Sequence, residues 1–311
     1  MRKNKQRFLL IALAFAALFL LFGCGEQGAH TETTDQSTAT QLVSDVTEPP
    51  SGETDDSVLV PILMYHHFSD EPNDSTIVSP ETFRKQLEFI KESGFTTVSF
   101  EELYAFVTHG TPLPAKPVCI TIDDGYYSNY SIAFPILREL EMKATIFPVG
   151  WCIGKDEYKD TGNPIIPHFG FEEMREMLAS GLIFIGSHTY DMHQSRAYET
   201  AAARPNVLPL ENESRENHVA ALTADLEKYS ALFKKETGLS FTVLAYPEGA
   251  YDSVTEETIH SFGIPITLST STSGHNYVTK GEPRSLHAMY RLNVTELTTE
   301  AELLSWLEGA N

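Results

Sequence analysis

Cysteine is scarce in this 311-residue chain, and so is positive charge. Of the three cysteines, Cys24 follows a long apolar run, which leaves only Cys119 and Cys152 for the remainder. Two cysteines cannot staple a chain of this size, so a disulfide-built scaffold is excluded. Cys119 sits inside the apolar run "PVCITI" and reads as a small buried hydrophobe; a bridge from it to Cys152 stays open. Lysine and arginine number 22 against 43 aspartates and glutamates, a formal net charge of −21. Such a balance repels phosphate backbones and excludes nucleic acid as a partner, while it says little about a neutral polysaccharide. No internal repeat is visible beyond an alternation of strands and helices.

Large apolar residues are nearly absent from one stretch, "GEQGAHTETTDQSTATQLVSDVTEPPSGETDDS". It cannot bury enough surface to offset the entropy of ordering, so residues 24–57 read as a disordered acidic tether, rich in Thr and Ser. Ahead of it, "MRKNKQRF" is basic and "LLIALAFAALFLLFG" is uninterruptedly apolar, the pattern of a secretory signal over residues 1–23. The "LFG" before Cys24 resembles the lipobox of bacterial lipoproteins, which implies a lipidated Cys24 as the new N-terminus. An uncleaved membrane anchor and an ordinary cleaved signal remain as alternatives. On the lipoprotein reading the protein is exported and held to the outer face of the cell membrane, with residues 58–311 as one folded, monomeric domain.

From Val58 onward, apolar strands alternate with amphipathic helices. "VLVPILMYHHF" reads as a strand. "SPETFRKQLEFIKESG" reads as a helix with Ser79 as N-cap, Pro80 at its first position and Gly94 ending it. "KPVCITID", "KATIFPVG", "LIFIGSH", "FTVLAYP" and "IPITLS" follow as strands, with helical segments between them. This order implies a parallel sheet covered by helices. About seven such units favour an α/β fold of the distorted (β/α) barrel type over an open sheet.

In a barrel of that kind, function gathers at the C-terminal ends of the strands. The polar clusters fall there: "YHH", "DDGYY", "SHTYDMH" and "YPEG". In "TIDDGY", two adjacent carboxylates end a buried strand and repel one another unless a cation compensates. His188 and His193 are five residues apart, about 140° around a helix axis, so they cannot share a helical face. If both hold one ion, the chain leaves a strand at His188 and returns through a loop to His193.

The segment "ITIDDGYYSNYSIAFPILRELEMKATIFPVG", followed by "IGSHTYDMH", resembles the polysaccharide deacetylases (carbohydrate esterase family 4, with the NodB-homology domain). The resemblance spans Val58 to about Thr295 and implies metal-dependent hydrolysis of N-acetyl groups on aminosugars. Carried across, it implies Asp124, His188 and His193 as ligands of a divalent metal, Zn2+ first, with Co2+ or Ni2+ also suited. It implies Asp123 as the general base. Tyr126 would lend a backbone N–H to the oxyanion, and Pro247 and Gly249 would line the groove floor.

Two family features are missing. There is no late Leu-x-His motif, since Leu286-His287 is out of register, and Ala245 stands where the arginine of Arg-x-Pro-x-Gly is usual. "VPILMYHHF", however, resembles the opening strand of the poly-N-acetylglucosamine deacetylase branch, which implies His66 as the general acid. His67 alternates to the other face of the strand. Arg291 resembles the family's terminal Arg-x-x-Val and reads as structural. His168, His218, His260 and His275 show no partners in the sequence and are expected at the surface. The implied substrate is poly-N-acetylglucosamine or the peptidoglycan glycan. A non-catalytic carbohydrate-binding protein on the same fold, or a deacetylase of a non-sugar amide or ester, remain as alternatives.

Overall fold

The computed structural model describes residues 56–199 and 203–310. The signal segment, Cys24 and nearly all of the tether lie outside the described residues. Seven strands run parallel: β1 Ile62–Tyr65, β2 Pro117–Asp124, β3 Ala144–Pro148, β4 Ile183–Ile185, β5 Val243–Ala245, β6 Ile266–Thr270 and β7 Met289–Asn293. Their order in the sheet is β4-β3-β2-β1-β7-β6-β5. The two edges meet at a bridge between Ser187 and Leu244. There Ser187 N donates to Val243 O at 3.0 Å and Ala245 N donates to Ser187 O at 2.9 Å. The sheet therefore curls into the expected distorted barrel, closed by one bridge.

Helices α1 Pro80–Glu92, α2 Phe100–His109, α3 Phe134–Leu140, α4 Phe171–Ala179, α5 Arg215–Thr237, α6 Ser253–Phe262 and α7 Glu300–Glu308 pack outside it. The sequence explains where they start. Ser79 caps α1 by accepting from Thr82 N, Pro80 gives up no needed donor, and Phe83, Leu87 and Ile90 form the buried stripe. Ser99 and Glu102 form a reciprocal capping box on α2.

Strand residues alternate between two apolar layers. Ile62, Cys119, Phe147, Val243, Ala245, Ile266, Leu268 and Met289 fill the barrel interior. Leu63, Tyr65, Ile120 and Ile122 face the helices. With a period of two, the inward face of β1 runs Ile62, Met64, His66, that of β2 runs Cys119, Thr121, Asp123, and that of β7 runs Met289, Arg291. His66, Asp123 and Arg291 thus inherit their direction from an apolar residue earlier on the same strand.

Three expectations are corrected, and one helix is added. The single strand over Val58–Phe68 is broken. Ser57–Leu59 pairs antiparallel with Tyr277–Thr279, and His67–Phe68 pairs with Ile77–Val78. Pro61, having no N–H to donate to a ladder, separates Ser57–Leu59 from β1. The segment "SIAFPILRELEM", whose pattern reads as one helix with Pro135 near its start, opens as a π-type turn, Asn129–Ala133, before α3. Helix α7, burying Leu303 and Leu307, was not foreseen. His218 is 1% exposed rather than at the surface. Cys119 and Cys152 are both free and buried. Among the described residues no helix is long and apolar enough to cross a membrane.

Candidate active site

The chain turns sharply after β2. Asp124 has φ 68°, and Gly125 follows at φ 82°. A Cβ on Gly125 would lie 2.7 Å from Pro148 Cβ, so the turn excludes any side chain there. After β4, the loop from Gly186 curls back as the five-residue histidine spacing requires. Thr189, at φ 69°, accepts from Met192 N at 3.1 Å through its hydroxyl. Asp225 on α5 clamps the same loop, accepting from Tyr190 N and Asp191 N at 2.7 Å each. Left-handed backbone at a non-glycine residue is costly and persists where the surroundings enforce it, as they do at Asp124 and Thr189.

These turns bring Asp124, His188 and His193 together. Asp124 Oδ1 lies 3.8 Å from His188 Nε2 and 3.6 Å from His193 Nε2. His188 Nδ1 donates to Ala245 O at 2.8 Å, and His193 Nδ1 donates to Pro205 O at 2.9 Å. With the proton fixed on Nδ1 by a main-chain carbonyl, each Nε2 turns its lone pair toward Asp124. Three donors around one ion at about 2.1 Å would stand about 3.4 Å apart. The cluster thus fits a divalent cation in its donor types, its spacing and the orientation of its rings. Burial lowers the His188 pKa to about 4 and keeps the ring neutral.

Asp123 points into the barrel and is 2% exposed. Its Oδ2 lies 3.9 Å from His188 Nε2 on one side and 3.9 Å from His66 Nε2 on the other. Its Oδ1 accepts from Arg291 Nη1 at 2.6 Å. Burial alone would raise this carboxyl, but the Arg291 guanidinium, with His188 and His66, outweighs it and holds the pKa at about 2. Arg291 is itself 1% exposed, and its Nε donates to Ser269 O at 3.3 Å. The reading of Arg291 as structural therefore misses its direct contact with Asp123. A lone charge inside the apolar run "AMYRLNV" was the available signal. Ala245, in the place of the missing arginine, offers its carbonyl to His188 instead.

His66 and His67 diverge as the strand's alternation requires. His67 Nδ1 shares a hydrogen bond with Ser128 Oγ at 2.8 Å, and its ring meets the edge of Tyr126. His66 turns inward, its backbone held by Asn129 Nδ2 donating to His66 O at 2.7 Å. Its Nδ1 is buried without a protein partner.

Two cavities, of about 720 Å3 and 550 Å3, share Asp124, Tyr126, His193 and Glu248 in their walls. A continuous cleft therefore crosses the carboxylate–histidine cluster. One arm is aromatic, with Trp151, Tyr158 and Tyr198; the other holds His66, Asp123, His188, Gly249 and Arg291. Gly249 lies in the wall, whereas Pro247 is buried beneath it and Glu248 is exposed between them. Tyr127 lies outside both arms, beside Tyr130.

Carboxylates and histidines gathered at the strand ends of a (β/α) barrel stand where that fold places its active sites. The family described as polysaccharide deacetylase matches residues 110–267, and the chain belongs to that family. Membership implies a hydrolase acting on N-acetyl amide bonds. YxkH of Bacillus subtilis, which carries the same family name, is 28% identical over 244 residues, covering 78% of this chain and 74% of its own. The poly-beta-1,6-N-acetyl-D-glucosamine N-deacetylase of Escherichia coli K12 is 26% identical over 223 residues. That match takes in 65% of this chain and only 32% of the relative. The Staphylococcus aureus protein of that name is 26% identical across 55% of this chain and 53% of its own. A de-N-acetylase from Aggregatibacter actinomycetemcomitans superposes with a TM-score of 0.69 at 22% identity, covering 80% of this chain and all of that one. IcaB from Ammonifex degensii superposes with a TM-score of 0.65 at 24% identity, over 80% and 97%. These superpositions establish the barrel fold.

Proposed function

We propose that the protein is a metal-dependent N-deacetylase acting on N-acetylglucosamine units of a poly-N-acetylglucosamine-type polysaccharide at the outer face of the cell membrane. One observation carries this reading. Asp123 is held ionised by Arg291 beside a carboxylate–bis-histidine cluster, with His66 facing it from the other side. Asp124, His188 and His193 would hold the divalent ion, Zn2+ or alternatively Co2+ or Ni2+. Bound there, it would act as a Lewis acid toward the amide carbonyl and the attacking water.

The chain's own groups then divide the proton work. Asp123, ionised throughout the neutral range, takes the proton from the water as its oxygen attacks the acetyl carbon. Arg291 fixes that carboxylate in place and balances its charge. The backbone N–H of Tyr126 donates to the developing oxyanion. His66 gives a proton to the sugar nitrogen as the C–N bond breaks, which releases acetate and a free amine. The open two-armed cleft suits an internal unit of a long chain, since both ends of a bound polymer have an exit.

The basic start and apolar run ahead of Cys24 support export and a lipid anchor, with the acidic stretch behind it as the tether. The decisive assay is acetate release from β-1,6-linked, β-1,4-linked and peptidoglycan substrates by the chain loaded with Zn2+, Co2+ or Ni2+. Turnover of the β-1,6-linked polymer is expected, with none for Asp123→Asn. Equal activity in the wild type and Asp123→Asn would refute the base assignment. Sugar binding without acetate release under any loading would favour a non-catalytic carbohydrate-binding protein.

A further inference from the structure

At the opposite end of the barrel, a second set of donors converges with the same chemistry as the first. Glu256 and His260 lie one turn apart on α6, and His287 stands just ahead of β7. Their ligand atoms all lie within 4.8 Å of one another. His260 Nε2 is 3.0 Å from Glu256 Oε1, and His287 Nδ1 is 4.0 Å from the same oxygen. We propose that Glu256, His260 and His287 form a second divalent-cation site, of the zinc, cobalt or nickel class, separate from the cleft.

The orientation of His260 is the first argument. Its Nδ1 is 2.8 Å from Ile264 O and therefore carries the donated proton. This is the arrangement of His188 and His193, where a backbone carbonyl fixes Nδ1 and turns the Nε2 lone pair to a carboxylate. A lone pair facing Glu256 Oε1 at 3.0 Å sets two acceptors head to head, so a cation belongs between them. Glu256 is prepared in the same way. Thr267 Oγ1 donates to its Oε1 at 2.7 Å, and the Tyr246 hydroxyl donates to Oε2. Ligating carboxylates are held by such outer partners.

His287 distinguishes a metal from a proton. Its ring stacks on His260 with centroids 3.6 Å apart and 24° between planes. One proton shared by His260 and Glu256 satisfies that pair and leaves the His287 nitrogen without a role. A divalent ion uses all three donors. Ligands about 2.1 Å from one ion stand about 3.4 Å apart, a spacing that the 3.0 and 4.0 Å edges bracket. Rotation of the His287 ring about its outer torsion, which is broad for histidine, closes the longer edge. Two imidazoles and one carboxylate select borderline ions over Mg2+ or Ca2+. An ion here would tie α6 to β7, the strand carrying Arg291.

The test counts ions. The full chain, purified in mild detergent without a histidine tag and stripped with chelator, is titrated with Co2+ and Zn2+ by calorimetry and visible absorption. The wild type is expected to bind two equivalents. His260→Ala/His287→Ala should bind one, Asp124→Asn/His193→Ala should bind one, and the fourfold variant none. Glu256→Gln keeps the side-chain shape and one oxygen acceptor, and the other hydroxyl of the Tyr246 and Thr267 pair can turn to accept from the new amide N–H, guarding against loss of fold; it should weaken one equivalent at least tenfold. A single equivalent in the wild type would overturn the proposal, as would equal stoichiometry in the wild type and His260→Ala/His287→Ala. Either result leaves the cleft reading standing, because that reading fails only if the equivalent lost with Asp124 and His193 is absent.

Discussion

Arg291 and Asp123 form a buried pair whose strength can be measured apart from catalysis. Both are at most 2% exposed, and their 2.6 Å contact is charge-assisted. Replacing Arg291 with Met keeps volume along the stem but strands Asp123 as an uncompensated charge. Removing one partner of such a pair costs about 3–5 kcal/mol. For a domain of this size each kcal/mol moves Tm by about 2–4 °C, so a fall of roughly 6–20 °C is expected. Asp123→Asn in the same background removes the stranded charge. The cost that remains is loss of the hydrogen bond from Arg291 Nε to Ser269 O, about 1 kcal/mol. The double variant should therefore recover about 2–4 kcal/mol relative to Arg291→Met alone. The assay is urea unfolding of the chelator-treated wild type, both single variants and the double variant, assembled as a mutant cycle. Strict additivity, with a coupling energy below about 0.5 kcal/mol, would refute the claim that Arg291 exists to compensate Asp123.

Three further perturbations follow from the geometry. His66→Gln should lower kcat by about 100-fold or more with little change in KM, as for loss of a general acid; steady-state kinetics on the β-1,6-linked polymer would show it, and an unchanged kcat removes the assignment. Burial raises the Asp225 carboxyl to about 6, above its unfolded value near 4, so its proton-linked contribution is complete below about pH 4 and is lost as pH rises through 6. Urea midpoints should show up to about 3 kcal/mol less stability at pH 7 than at pH 4 from this group, and Asp225→Asn should flatten that slope. Gly249 has φ 67°, and a Cβ there would press on Thr270 Oγ1 and lie 2.9 Å from Thr270 N, so Gly249→Ala should destabilise by about 1–3 kcal/mol in thermal unfolding.

How much of this was legible in the sequence depended on whether the signal was local. Helix α1 was fully written in Ser79, Pro80, its apolar stripe and Gly94, because caps and period are short-range facts. The different directions of His66 and His67 were legible for the same reason, since alternation along one strand is local. The break at Pro61 was also local, and reading a strand through it undervalued a missing donor. Helix α7 followed the last recognised motif and carried no resemblance to point it out. Its capping box of Thr299 and Glu302 was nevertheless present.

The pairing of Arg291 with Asp123 was illegible for a different reason. The residues are 168 positions apart, and β1 lies between their strands in the sheet. Only strand order and inward alternation, taken together, put both side chains in one interior. Strand order is a property of the whole fold that no window of sequence contains. The missing arginine at Ala245 looked like a weakening of the site, because the sequence shows which strand lacks a residue but not which other strand supplies it. A barrel makes such exchange easy: every strand sends its inward residues to the same space, so a charge needed at Asp123 can come from any strand whose inward position reaches it. The constraint falls on the carboxylate's environment and not on the motif that usually provides it. Hence a motif count underestimates this site, while the buried charge at Arg291, read as a demand for a partner, points directly to it.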